Sequence, residues 1–413
     1  MKKSLLYIGV ALLVLLVAFF ITKPRFAENA YKKAMILADS ANYEQAMSKV
    51  DFALMLSTKP EYLDLKGYIL QATGIDSMAV IYFDKAIALD STNANPYMHK
   101  GISLKNLEQW EPAVIQLDKA ISLNDSLAKA YYYRGVAKAG LLKFDEAIED
   151  YVKSAQLDGT NKEAFYKMGA SVEALNDFNK AISAYSKLIE SGAANFEAYK
   201  NRGIFRVKLK DFKGGESDLS KATLMNGKDV ESWYYLGLAQ INSQKAAEAL
   251  KAMNTALGLD QKYTPALYTR GMIYLQKQDF KKSIADLNKA VTIKPDYTKA
   301  HFSLGTAKAM SADYKGSIVA FNAAITLDPT NADAYFNRGI SKGILNMHKE
   351  AIADYDKAIQ LNPKNGEAYL NRGVSKMNVQ DNKGACPDFE KAEQLGVEQA
   401  KQMRLMYCQN VKK

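Results

Sequence analysis

Along most of this chain, apolar and aromatic residues fall at helical intervals, as at Tyr335, Gly339 and Leu345 and then Ile352, Tyr355 and Ile359. That period puts them on one face of a helix, whereas strict alternation would have indicated a strand. Polar punctuation separates the runs. In LDPTNADAY (327–335) and LNPKNGEAY (361–369), Pro329 and Pro363 can stop one helix, and Asn331 and Asn365 can cap the next. The pattern predicts an all-α chain of paired amphipathic helices. One stretch departs from it: Ser4 to Thr22, SLLYIGVALLVLLVAFFIT, has no charge over 19 positions. At about 1.5 Å per residue it reaches roughly 28 Å, close to a bilayer's hydrocarbon thickness, so residues 4–22 are expected to form a transmembrane helix. A cleaved signal peptide is the competing reading and a buried helix a third, although the run ends AFFITKP without a small-x-small site.

The helix pairs recur with a fixed period. Gly67, Gly101, Gly135, Gly169, Gly203, Gly237, Gly271, Gly305, Gly339 and Gly373 are each 34 residues apart. Twelve positions after each glycine stands a second small residue, for example Ala79, Ala113, Ala147, Ala181, Ala249, Ala351 and Ala385, with Gly215, Ser283 and Ser317 elsewhere. Seven further on comes a third, as at Ala86, Ala120, Ala222, Ala256, Ala290, Ala324, Ala358 and Ala392, with Ser154 and Leu188 as departures. Small residues in register mark close approach between helices, and stacked copies bury a core that one copy cannot form.

The pattern resembles the tetratricopeptide repeat (TPR) family, whose 34-residue unit has an aromatic, then Gly, Tyr, Ala, Phe, Ala and Pro at fixed offsets. Residues 332–365 match it with Tyr335, Gly339, Ala351, Tyr355, Ala358 and Pro363, and 298–331 with His301, Gly305, Phe321, Ala324 and Pro329. The resemblance implies a right-handed superhelical solenoid of about eleven repeats, with a concave groove lined by the first helix of each pair. The expected organisation is a membrane anchor at 1–26 and a degenerate repeat at 27–59, with Ala34, Ala46 and Ala53 in its small slots. Ten repeats follow at 60–93, 94–127, 128–161, 162–195, 196–229, 230–263, 264–297, 298–331, 332–365 and 366–399. The last segment, 400–413, reads as an amphipathic capping helix, with Met403, Leu405, Met406 and Tyr407 available to cover the final repeat.

Arginine precedes the glycine in five repeats, at Arg134, Arg202, Arg270, Arg338 and Arg372. Sixteen positions later stand Asp150, Asp218, Asp286, Asp354 and Asp388, whereas repeats without the arginine have Tyr82, Gln116, Ala184, Ala252 and Ala320 there. The two residues occur together, which reads as an ion pair bridging the two helices of a repeat. An arginine kept for a phosphate or a ligand carboxylate would not need its own aspartate.

Charge narrows the function. The net charge is +10, but Lys2, Lys3, Lys23 and Arg25 at one end and Lys401, Arg404, Lys412 and Lys413 at the other account for most of it. Removing these eight from 55 basic residues leaves 47 against 45 acidic ones, so the body lacks the excess that a nucleic-acid groove needs. An RNA-reading helical repeat, with 35-residue units and a basic groove, stays a remote alternative. The only cysteines, Cys386 and Cys408, lie about equally far from the turn near Gly396. Antiparallel helices would bring them together, either as a disulfide that fastens the cap or as two small buried thiols. A disulfide would imply an oxidising compartment.

No catalytic constellation, metal spacing or glycine-rich phosphate loop occurs, and His99, His301 and His348 are scattered. Neither enzymatic activity nor a cofactor is expected. What remains is a binding surface. In the family's geometry, residues three before and one after the glycine face the groove, here Tyr132, Val136, Tyr166, Tyr234, Leu238, Tyr268, Met272, Phe302, Phe336 and Ile340. Either they anchor a partner segment or they shield neighbouring helices. Lys200 and Asn201 match part of the family's carboxylate clamp, but Ile204 replaces its second asparagine, so that role is not carried over. The sequence is expected to encode a membrane-anchored scaffold for a protein partner, with its repeats in a bacterial periplasm. Alternatively, it is a component of a secretion or polysaccharide-export assembly, or a protein secreted after signal cleavage.

Overall fold

A computed structural model describes residues 22–192 and 195–408. Those residues form helices and turns with no strand among them. The first helix, α1, covers 22–39 and is followed by α2 (Tyr43–Leu56). Twenty further helices make ten pairs, whose first members begin at Pro60, Ala94, Ala128, Lys162, Phe196, Val230, Thr264, Thr298, Ala332 and Gly366. The pairs are α3 (Pro60–Ala72) with α4 (Asp76–Leu89), α5 (Ala94–Asn106) with α6 (Trp110–Leu123), and α7 (Ala128–Gly140) with α8 (Phe144–Leu157). Next come α9 (Lys162–Leu175) with α10 (Phe178–Glu190), α11 (Phe196–Lys208) with α12 (Phe212–Met225), and α13 (Val230–Asn242) with α14 (Ala246–Leu259). The last four are α15 (Thr264–Gln276) with α16 (Phe280–Ile293), α17 (Thr298–Met310) with α18 (Tyr314–Leu327), α19 (Ala332–Ile344) with α20 (His348–Leu361), and α21 (Gly366–Asn378) with α22 (Asn382–Gln394). A final helix, α23, covers Glu398–Tyr407.

The residues fall into two compact units, one ending at Met225 and the other beginning at Asn226. In each, helices adjacent in sequence pack side by side. Polar caps set the helix starts. The Oδ1 atoms of Asn331 and Asn365 accept from the amides of Ala334 and Ala368, as the sequence predicts. The turn inside each pair contains one left-handed residue, again every 34 positions from Gly74 through Glu108 and Leu142 to Gln380.

Close packing within a pair rests on one contact. A Cβ built on Gly135 would lie 2.7 Å from Cε1 of Tyr151, and one on Gly339 2.7 Å from Cε1 of Tyr355. The side chain 16 residues after the glycine fills that space in nine of the ten pairs, whether it is aromatic, as Phe83 and Phe321 are, or aliphatic, as Leu117 and Leu287 are. Any larger residue in place of glycine would force the two helices apart.

The exception is the pair α9 and α10. Leu188 occupies a slot that small residues hold elsewhere, and it is fully buried, so α10 cannot approach α9 as its counterparts do and leans on α8 as well. Tyr185 swings with it. Its hydroxyl donates to the Phe165 carbonyl at 3.0 Å and accepts from Asn201 Nδ2 at 3.0 Å. Gly169 is left facing that hydroxyl at 3.5 Å.

Several expectations need adjustment. Residues 4–21 of the expected anchor lie outside the described residues, and among those described no helix is long and apolar enough to cross a membrane. Helix α1 is already formed at residue 22 and runs on to 39, so the described helix is continuous across residues 26 and 27. Ala34, Ala46 and Ala53 are fully buried. At the other end α23 starts at Glu398, inside the segment assigned to the tenth repeat, and 409–413 lie outside the described residues. Only part of the expected lid covers anything: Ala400 and Met403 pack on Leu370 and Phe389, whereas Leu405, Met406 and Tyr407 are exposed. With about 100° between successive residues, three consecutive side chains cannot share one face. Cys386 and Cys408 are joined as a disulfide with Cα atoms 5.7 Å apart, and Arg404 pairs with Glu393 beside it.

Two outcomes are expected. Gly135→Ala should lower stability by about 1–3 kcal/mol, while Gly169→Ala should be neutral or stabilising by up to about 1 kcal/mol; urea melts followed by circular dichroism compare them. Reducing the Cys386–Cys408 bond should remove on the order of 3 kcal/mol from the cap, which hydrogen exchange would register as faster opening of α23 with α19 and α20 unchanged.

Candidate functional site

The arginines are committed to the fold. Arg338 Nε and Nη2 donate to the two carboxylate oxygens of Asp354 at 2.9 and 2.5 Å, and Nη1 reaches back to Asn322 on α18 at 2.7 Å. Arg134 holds Asp150 in the same way and Asp118 on α6, and Arg372 holds Asp388 and Asp356 on α20. Arg202 and Arg270 fork onto Asp218 and Asp286, with Ser186 and Asn254 as their backward partners. Each guanidinium thus ties the two helices of its pair to the second helix of the pair before. The pairing partners raise the pKa of Arg134, Arg270 and Arg372 against the opposing effect of burial.

Sequence reasoning found the forward aspartate and missed two other parts of this network. The backward partner also lies 16 positions away and could have been read from the same comparison of repeats. Lys66 and Lys100 stand in the arginine slot of the first two regular repeats and form ion pairs backward, with Asp51 and Asp84 at 2.6 Å each, while Lys66 also lies over the Tyr82 ring in the forward slot. A second cation, four residues after the arginine, also grips the buried aspartate, as Lys138 does with Asp150, Arg206 with Asp218, Lys342 with Asp354 and Lys376 with Asp388. At Asp286 that place is taken by Tyr274, whose ring lies 6.0 Å from the Arg270 guanidinium.

The proposed groove residues lie on first helices, and each unit presents its own set. In the first unit, Tyr132 and Val136 are half-buried against the core around Tyr151 and Phe165, whereas Tyr166 is 71% exposed. Burial, with Glu163 nearby, pushes the Tyr132 hydroxyl up to about 12. Asn201 is bonded to Tyr185 and Ile204 is buried, which leaves no carboxylate clamp there.

In the second unit, Leu238 on α13 and Tyr268 and Met272 on α15 line a cavity of about 490 Å³ together with Ile241, Thr269, Ile273, Leu275 and Gln276. None of these is charged. Tyr263 packs edge-on against Tyr234 at 5.5 Å, and Tyr297 lies 5.1 Å from Tyr268. Burial raises the pKa of Tyr234 and Tyr263 and pushes Tyr297 up to about 12. Phe302 and Phe336 pack on Phe321 and Tyr355, the side chains that fill the glycine gaps, and Ile340 is half-buried. These aromatic residues therefore back the core with one face and leave the other partly open. Among the described residues no cluster of histidine, cysteine or carboxylate side chains is placed to hold a metal ion.

Stacked antiparallel helix pairs with a repeating glycine contact define a helical-repeat solenoid. The chain contains tetratricopeptide repeats: models described as tetratricopeptide repeat match 163–191, 230–263 and 332–365, and one described as TPR repeat matches 271–310 and 313–342. Among solved structures, the MamA protein is 25% identical over 42% of this chain and 96% of its own, with a TM-score of 0.40. YrrB, described as a TPR protein with an unusual peptide-binding site, is 25% identical over 53% of this chain and 95% of its own, at 0.34. The APC/C hetero-tetramer Cut9-Hcn1 is 14% identical over 94% of this chain and 98% of its matched chain, at 0.44. The comparison with curated proteins found no match.

Because Asp354 is gripped by two cations and Asp286 by one, Asp354→Ala should destabilise more than Asp286→Ala, by at least about 1 kcal/mol. In a double-mutant cycle, Arg338→Ala with Asp354→Ala should cost less than the sum of the single changes, because each single change strands a buried charge. Additive thermal shifts would contradict the pairing.

Proposed function

We propose that this chain is a non-enzymatic scaffold that binds a segment of a partner protein on the first-helix face of its repeats. The observation that carries this reading is the uncharged cavity beside Leu238, Tyr268 and Met272, formed wholly by first helices. Apolar concavities with aromatic anchors are where proteins take peptide segments. The arginines, spent on internal aspartates, offer no competing anion site. We further propose that residues 4–22 anchor the chain in a bacterial membrane with the repeats in the periplasm. Support for this comes from the uncharged run of 19 residues and from the Cys386–Cys408 disulfide, a bond that persists in oxidising compartments.

Photo-crosslinking in intact cells from a probe at Tyr234 tests both parts. Capture of a discrete extracytoplasmic protein is the expected result. Cytoplasmic partners would reverse the topology, and no capture from Tyr234 would remove the first-helix face as the binding surface.

A further inference from the structure

The displaced helix α10 builds a cleft on the second helices of the first unit. Among the described helices, α8 and α10 are the successive second helices that pack most closely on each other. Between them lies an open cavity of about 490 Å³. Its wall on α8 runs from Asp145 to Gln156 at intervals of three and four residues, and its wall on α10 runs from Lys180 to Lys187 in the same way. Such intervals trace one stripe of a helix, so the α8 wall is about 16 Å long. Ile148, Val152 and Ala184, all buried, give the cleft an apolar floor.

The charges around this floor are unevenly satisfied. Lys180 donates to Asp145 at 2.7 Å and ties the two helices together at one end. Further along, Lys153 on α8 and Lys187 on α10 are exposed and have no carboxylate partner among the described residues. They occupy the same slot of successive repeats, 34 positions apart. In that slot Lys85 and Lys221 lie over the rings of Tyr82 and Tyr199, whereas Lys153 and Lys187 flank an apolar cleft. Glu149, one turn before Lys153, is also without an ion pair. It repels carboxylates from the middle of the cleft, while the two lysines attract them to its far end.

The shape restricts the occupant as well. A groove between two helices accepts the side-chain ridge of a third. A helical ligand keeps its backbone groups bonded to one another above an apolar floor. An extended one would bring carbonyls to a wall whose neutral donors are Ser183 and Gln156 alone.

We propose that α8 and α10 form a second docking surface, which takes a short acidic amphipathic helix of a partner protein. Two aliphatic side chains one turn apart enter over Ile148, Val152 and Ala184, and carboxylates at the lysine end pair with Lys153 and Lys187. This surface is separate from the first-helix face and does not depend on what that face binds.

The test is selection of phage-displayed three-turn helical peptides, randomised along one stripe, against the full chain, followed by affinity measurements on the enriched synthetic peptides. Enriched sequences should combine aliphatic residues at i and i+4 with Asp or Glu on the same stripe. Lys153→Glu with Lys187→Glu should weaken their binding about tenfold or more, and replacing the acids of the peptide by lysine should restore binding to that variant. Ser183→Trp, on the exposed wall, should weaken binding without lowering the melting temperature. Met272→Gln, in the first-helix cavity, should leave it unchanged. Enriched peptides without acids, or binding indifferent to the lysine reversal and to Ser183→Trp, would overturn the proposal. Failure to enrich any peptide would also overturn it, as would occupation of the cleft by a small anionic amphiphile such as dodecanoate that excludes every peptide.

Discussion

Everything in this molecule depends on how closely the two helices of a repeat can approach. Glycine at the crossing leaves a gap, and the side chain 16 residues later fills it, so that ring or branched aliphatic group becomes the centre of the local core. The approach brings the arginine beside the glycine within reach of the aspartate beside the filling residue, since both neighbours share the same spacing of 16. A bidentate pair then fixes the rotation of one helix against the other, which apolar packing alone leaves less defined. The third guanidinium nitrogen carries that constraint to the preceding repeat.

The pair α9 and α10 shows what happens when the constraint fails. Met168 and Ala184 stand where arginine and aspartate stand elsewhere, and Leu188 replaces a small residue. Other pairs without the ion pair keep the glycine contact, as Gly237 does with Met253 and Gly305 with Phe321; with the bulky Leu188 at the crossing, the second helix shifts and Tyr185 finds a carbonyl and an amide instead of a glycine. The departure was visible in the sequence as a bulky residue at 188, but its direction was not, because it depends on whether α8 offers room.

Much of the rest was legible because a repeat supplies its own comparison. Ten copies of one spacing predict the helix starts, and the five arginines with their aspartates predict the pairing. The cysteine bond could only be left open, since spacing brings two residues near each other without fixing their rotation about the helix axes. Tyr263 and Tyr297 illustrate a different limit: an N-cap slot is read for the residue that caps, and these two instead pack on Tyr234 and Tyr268. The exposed Leu405, Met406 and Tyr407 were misread because apolar composition was taken for an apolar face.

Rigid helix pairs thus carry an uncharged cavity between the first helices α13 and α15, and hydrogen exchange of the full chain with a saturating bound peptide from the partner captured at Tyr234 tests that arrangement most directly. It predicts slowed exchange concentrated in α13 and α15, with the second helices α14 and α16 unchanged. Protection centred on α14 and α16, or spread evenly over the chain, would contradict it.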